Sequence, residues 1–316
     1  MQGTVYKSTG SWYTVKGEDG KFYSCRMRGR FRIKDIKDTN PVAVGDKVVF
    51  ELDKTGDEEI GIITEIKERK NYIIRRSVKL SRQAHIIAAN IDRVFLLVTI
   101  KNPVTSTIFI DRILTTAEAY HIEPIILFHK IDLYTEDELD EIRYLAAIYR
   151  NVGYTCLGTS AVTGRNTDKV KELMEGKVNL FSGNSGVGKS TLINKLVPDL
   201  NLKTAEISEH HTSGKHTTTF AEMFDVGENT KIIDTPGIKG FGLVNMEREE
   251  IGNYFPEFLR RSKDCRFNNC LHIKEPGCAV KEALEKGEIF WSRYDSYLQI
   301  MSSEDDTYRP DIHHLY

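Results

Sequence analysis

Eight consecutive residues, Gly183-Asn184-Ser185-Gly186-Val187-Gly188-Lys189-Ser190, match the phosphate-binding pattern G-x-x-x-x-G-K-[ST] at each fixed position, directly after the apolar run Val178-Asn179-Leu180-Phe181. Glycines let such a loop curl until several backbone N–H groups converge on a phosphate chain. Lys189 adds a mobile positive charge, the Ser190 hydroxyl is of the type that ligates Mg²⁺, and Thr191 carries the loop into the following turn. A strand pattern before the loop and helical spacing at Leu192, Ile193 and Leu196 after it supply the context that a chance glycine-rich turn lacks. A nucleoside triphosphate is the expected ligand.

Two further segments say which one. Downstream, Lys231-Ile232-Ile233-Asp234-Thr235-Pro236-Gly237 reads as a buried strand ending in an acid and a turn. Asp234 is placed to hold Mg²⁺ through a water, and the Gly237 N–H to reach a γ-phosphate. Upstream, the apolar run Pro124–Phe128 ends in His129-Lys130-Ile131-Asp132, which resembles the guanine-reading N-K-x-D element of GTPases with His129 in place of Asn. A carboxylate at Asp132 accepts from the ring N–H and exocyclic amine of guanine, groups that adenine does not offer, so ATP would leave it unpaired. Thr159-Ser160-Ala161 follows a weak strand pattern and resembles the small-residue loop, here Ser160 and Ala161, whose backbone meets the guanine carbonyl.

In chain order these motifs run guanine reader, small loop, phosphate loop, a Gly214-Lys215-His216-Thr217-Thr218-Thr219 segment, then Asp234-Thr235-Pro236-Gly237, which is a GTPase order cut and rejoined. A doubly wound sheet tolerates such circular permutation because its termini lie at the surface. The permuted order resembles the family of ribosome small-subunit-dependent GTPases, and the resemblance extends over essentially the whole chain. It implies GTP hydrolysis during late assembly of the small (30S) subunit, contact with 16S rRNA, and stimulation of turnover by the particle. It also implies that a histidine of the first switch acts in hydrolysis and that a threonine there ligates Mg²⁺. His216 and Thr218 are the expected residues, with His210, His211, Thr217 and Thr219 as rivals. The residue after Asp-x-x-Gly, often a water-orienting Gln, is here Ile238, so unassisted hydrolysis is expected to be slow.

The chain has 316 residues, 40% of them hydrophobic, five Cys and a net charge of −2, enough for two or three domains. The run Val94–Val98 is too short to span a bilayer, and the N-terminus shows no secretory pattern, so a cytoplasmic protein without membrane contact is expected. Basic charge is concentrated: residues 21–37 and 67–82 each carry seven Lys or Arg against one acid. Removing these segments from the totals of 44 and 46 leaves 30 basic and 44 acidic residues, so contact with a polyanion is localised to them. Short alternating runs around Val5, Tyr13, Tyr23, Val49 and Ile62 predict a five-stranded oligonucleotide-binding barrel. Arg26, Arg28, Arg30 and Arg32 are its expected RNA contacts, and Trp12, Tyr13 or Tyr23 could stack on bases or simply fill the barrel.

Cys265, Cys270, His272 and Cys278 form C-x₄-C-x-H-x₅-C, a donor set for one tetrahedral, structural Zn²⁺ with no open position. Residues 279–286 and 288–300 read as amphipathic helices. The expected architecture is multi-domain α/β: a barrel at 1–68, a circularly permuted P-loop GTPase domain with a mostly parallel, doubly wound sheet at 69–244, and a zinc-binding helical unit at 245–316, in a monomer that cycles between GTP and GDP. Two rivals predict differently. An RNA-binding scaffold with structural nucleotide would ignore small subunits, and an RNA-stimulated ATPase or small kinase would show little preference for GTP.

Overall fold

The structure is a computed structural model and describes residues 1–27, 41–53, 59–76, 84–200, 202, 221–235 and 246–302. Strands β1 (Gln2–Ser8), β2 (Tyr13–Gly17), β3 (Phe22–Met27), β4 (Lys47–Asp53) and β5 (Ile60–Ile66) close into a barrel through the pairings β1–β2, β2–β3, β3–β5, β5–β4 and β4–β1. Only β3–β5 is parallel, which is the ring order of the oligonucleotide-binding barrel. Alternation along the strands points Val5, Tyr13, Val15, Cys25, Val48, Phe50 and Ile63 into one core. Gly61 sits where a Cβ would stand 2.4 Å from the Cys25 Sγ, so the barrel interior at that level admits no side chain. Tyr13 is therefore core, whereas Trp12 lies half-buried under the Arg26 guanidinium, 3.6 Å from its ring centroid.

Between the barrel and the first strand of the larger sheet stands a two-stranded hairpin, β6 (Tyr72–Arg76) with β7 (Ala84–Ala89). Asn71 closes its base by donating to the Ile91 carbonyl and accepting from the Ile91 N–H, a side-chain clasp invisible to apolar periodicity.

The larger unit alternates β8 (Arg93–Val98), α1 (Thr107–Ala119), β9 (Glu123–His129), α2 (Glu136–Val152), β10 (Thr155–Thr159), α3 (Thr167–Met174), β11 (Val178–Gly183) and α4 (Lys189–Leu196), followed by the hairpin β12 (Glu222–Gly227) and β13 (Thr230–Asp234). Its strands stand in the order β10-β9-β8-β11-β13-β12, all parallel except β12. Being covered on both faces, the strands read as continuous apolar runs. Val94, Leu96 and Val98 pack beneath α1 and α2, while Phe95 and Leu97 pack beneath α3 and α4. Helix α2 begins at a capping box in which Thr135 and Glu138 satisfy each other's backbone N–H, and it ends at Gly153 with φ 121°.

β1 pairs with β12 at Lys7↔Glu222, so the barrel and the larger sheet are continuous. Asp225 of β12 accepts from Tyr6 Oη and Lys16 Nζ of the barrel and from Lys231 Nζ, each at 2.6 Å.

The last unit comprises α5 (Arg248–Ile251), α6 (Pro256–Ser262), α7 (Ala279–Glu285) and α8 (Trp291–Ser302), packed around Phe255, Phe258, Tyr294 and Tyr297. Helix α8 starts later than its apolar spacing suggests. The N–H groups of Glu288 and Ile289 turn back to the Ala283 carbonyl past Gly287 (φ 73°) and cap α7 instead. Ile108 and Ala119 of α1 and its C-cap Tyr120 pack on this core, and Arg293 of α8 inserts between Asp111 of α1 and Glu257 of α6. No helix among the described residues is long and apolar enough to cross a membrane.

Candidate nucleotide site and metal cluster

β11 delivers Gly183 at φ 153°, and a Cβ there would meet the Leu97 carbonyl oxygen at 2.8 Å. Gly186 (φ 80°) and Gly188 (φ 98°) complete a left-handed curl, and Gly188 is the N-cap of α4. Asn184, Ser185 and Val187 lie in this loop, with Val187 N–H bonded to the Asn184 carbonyl, and Ser190 and Thr191 open the helix. The N-terminal N–H groups of α4 thus face the loop's concavity, the arrangement that attracts phosphate.

Lys189 Nζ donates to the Thr235 carbonyl at 2.9 Å and stands 3.8 Å from Asp234 Oδ1. Burial lowers the Lys189 pKa, with Asp234 opposing it, while burial raises that of Asp234 against the pull of Lys189. Asp234 Oδ1 and Thr235 Oγ1 are buried without a hydrogen-bond partner. Oxygens left unpaired beside a phosphate loop suit hydrated Mg²⁺, so Ser190 and Asp234 fit that ion by donor type and environment.

The base-reading segment comes to the same end of the sheet. His129 ends β9, and Lys130 (φ 60°) turns the chain into the short helix Ile131–Leu133, leaving Asp132 exposed. Lys130 Nζ donates to the Gly186 carbonyl at 2.7 Å and to the Asn102 carbonyl at 2.8 Å, which joins this loop to the phosphate loop. β9 and β10 run in register with Thr159 beside His129, bringing Ser160 and Ala161 alongside. Ser160 is buried, with Oγ accepting from the Thr163 N–H and its own N–H donating to the Arg165 carbonyl. His216, Thr218, Gly237, Arg28, Arg30 and Arg32, with the rival switch residues and Ile238, lie outside the described residues.

Sequence reasoning missed the loop after β8. Asn102 accepts from Lys130, Asn184 Nδ2 reaches the Val104 carbonyl at 3.5 Å, and Pro103 Cδ lies 3.9 Å from a Cβ built on Gly186. The only signal was an Asn-Pro pair directly after a buried strand.

In the last unit, the ligand atoms of Cys265, Cys270, His272 and Cys278 all lie within 4.8 Å of one another. His272 Nδ1 is 3.7 Å from the Cys265 Sγ and 3.4 Å from the Cys278 Sγ. Tyr294 Oη holds the His272 carbonyl at 2.7 Å, and the Glu275 carboxylate accepts from the N–H groups of Leu271, Ile273 and Lys274, which shapes the loop. Burial and the neighbouring sulfurs push the Cys270 thiol up to about 12. Three sulfurs crowded this closely need a cation to be held as thiolates, and the set fits one tetrahedral zinc. Chelation or Cys270→Ser is expected to remove a separate melting transition of residues 246–302. Elemental analysis showing no near-stoichiometric zinc, or an unchanged melting profile without metal, would contradict this.

A closed barrel on a parallel sheet, with a phosphate loop and a base-reading loop at one sheet end in permuted chain order, defines a circularly permuted nucleotide-binding protein of the GTPase class. The family model "RsgA GTPase" matches residues 66–244 and "RsgA N-terminal domain" matches residues 2–63. The chain belongs to the RsgA GTPase family. It is 64% identical over 311 residues to the small ribosomal subunit biogenesis GTPase RsgA of Christiangramia forsetii, covering 98% of this chain and 99% of the relative. It is 54% identical to that of Bacteroides fragilis over 306 residues, covering 97% and 98%. Among solved structures it superposes on YjeQ from Thermotoga maritima (TM-score 0.75, 36% identity, 95% of this chain and 96% of that one). It also superposes on YloQ, described as a circularly permuted GTPase (TM-score 0.70, 31% identity, 95% and 93%).

Proposed function

We propose that this protein hydrolyses GTP as a late assembly factor of the small ribosomal subunit, contacts 16S rRNA, and is stimulated by the particle. The observation that carries the reading is the joining of base-reading and phosphate loops through Lys130 at one end of a permuted sheet. Relatives named small ribosomal subunit biogenesis GTPase supply the biological setting. Residues 1–68 form the RNA-facing barrel, 69–244 the GTPase domain and 245–316 the zinc unit of a cytoplasmic monomer.

In this reading Gly183–Thr191 wraps the phosphates, and Lys189 leaves Asp234 and Thr235 for the β- and γ-phosphate oxygens. Asp132, with Lys130, Ser160 and Ala161, receives guanine. Mg²⁺ held by Ser190, Thr218 and Asp234 would neutralise charge developing on the phosphates. Gly237 donates to the γ-phosphate, and His216 orients the attacking water that Ile238 cannot touch. Arg26, whose guanidinium lies 3.6 Å from the Trp12 ring centroid, offers its N–H groups to phosphate, and Arg28, Arg30 and Arg32 extend the same basic segment. GTP favours docking on the particle, and hydrolysis favours release.

Base choice has a direct test. Asp132→Asn should weaken GTP binding at least tenfold and improve xanthosine triphosphate binding, because the amide offers a donor to the altered base edge. Equal affinities of the unsubstituted protein for GTP and ATP by calorimetry would refute the guanine assignment.

A further inference from the structure

His129 stands where the base-reading pattern has Asn, yet the structure buries it to 2% exposure, unlike the exposed Asp132 three residues on. Its ring lies between two other loops. Nδ1 is 2.9 Å from Oγ1 of Thr159, itself fully buried at the end of β10 where the small-residue loop begins. The opposite edge of the ring faces the phosphate loop, and a Cβ at Gly188 would stand 2.9 Å from its Cδ2 and 3.0 Å from its Nε2. Gly188 is thus fixed as glycine twice, by φ 98° and by the imidazole filling the space above it.

We propose that His129 is a positioning residue that braces the base-reading and small-residue loops against the phosphate loop through Thr159 and Gly188, setting nucleotide affinity without choosing the base. This rests on the nucleotide-site reading above and deepens it. Two contacts on opposite ring edges let one side chain fix the spacing of three loops, and ligand groups held at fixed spacing bind with less ordering cost. The ring is neutral in ordinary buffers, since burial and the neighbouring Lys130 bring its pKa down to about 4 against the pull of Asp132. A neutral imidazole can take its Nδ1 contact as acceptor or donor with the Thr159 hydroxyl, and burial carries no uncompensated charge.

The test measures GTP, GDP and ATP affinities and steady-state kinetics for the full chain and for His129→Ala, His129→Asn, Thr159→Val and the Ala/Val double variant. His129→Ala is expected to weaken GTP and GDP alike by at least tenfold, raise KM more than it lowers kcat, and weaken ATP by a similar factor. Thr159→Val should reproduce part of the loss, the double variant should lose less than the product of the two, and His129→Asn should restore part of the affinity. Unchanged GTP affinity in His129→Ala would overturn the proposal. So would a loss confined to guanine nucleotides, which would make His129 a base reader, or full additivity of the two variants. If His129→Ala does not fold, ¹⁵N-histidine spectra of the unsubstituted protein decide: one neutral ring titrating only below about pH 5 supports the brace, and an ordinary titration near 6.5 overturns it. An unsubstituted protein with no preference for GTP would instead overturn the guanine assignment, while the brace would still stand or fall on the affinities of the His129 and Thr159 variants.

Discussion

Replacing Arg293 by Met is expected to destabilise the protein by about 3–5 kcal/mol, the range found when one member of a buried ion network is removed. Its guanidinium is 1% exposed and meets Asp111 Oδ1 at 2.5 Å through Nη1, Glu257 Oε1 at 2.7 Å through Nε, and Glu257 Oε2 at 3.2 Å through Nη2. The face of Phe255 lies 4.6 Å away, with Tyr149 and Tyr154 beyond it. Met fills much of the same volume but leaves two carboxylates in an apolar junction, where the charged form is costly. Substituting Asp111 and Glu257 by apolar residues as well should recover most of the loss, since the penalty lies in the unpaired charges. Equilibrium denaturation checks both. A cost under about 1 kcal/mol for Arg293→Met would mean that the network does not hold α8 and α6 on α1.

The second large effect is kinetic. His216→Ala should abolish most of the rate gained on small ribosomal subunits while GTP affinity is retained, because in the proposed mechanism the lost group would act on the attacking water and not on the bound ground state. Ile238 offers no alternative at the position where many other GTPases carry Gln. Neutralising Arg28, Arg30 and Arg32 together should instead weaken docking on the particle and flatten its salt dependence, with hydrolysis by the isolated protein unchanged. Rates with and without particles, at two salt concentrations, separate these outcomes. A His216→Ala protein that responds normally to particles would remove His216 from the mechanism.

Local chemistry made much of this legible. The phosphate loop, the strand ends at His129 and Asp234, and the Cys-Cys-His-Cys spacing are short-range patterns whose geometry follows from a few residues, and the barrel strands follow from period-two alternation. Contacts between distant segments were not legible. Asp111 sits in the middle of an amphipathic helix and Arg293 lies 182 positions later in another, so neither pattern announces that they meet in the core. The brace at His129 depends on Thr159 and Gly188, brought together only by the parallel β9–β10 register and the curl of the phosphate loop. The β6–β7 hairpin was hidden because its clasp is one Asn side chain bonding a backbone twenty residues away.

The most direct measurement is GTP turnover by the purified protein, alone and with purified small ribosomal subunits at low salt, with ATP run in parallel. The account predicts slow hydrolysis alone and at least a tenfold rise with particles, a barrier lowered by about 1.4 kcal/mol or more, with ATP turned over far less in both conditions. A GTP rate that small subunits leave unchanged, or one matched by ATP, would contradict it.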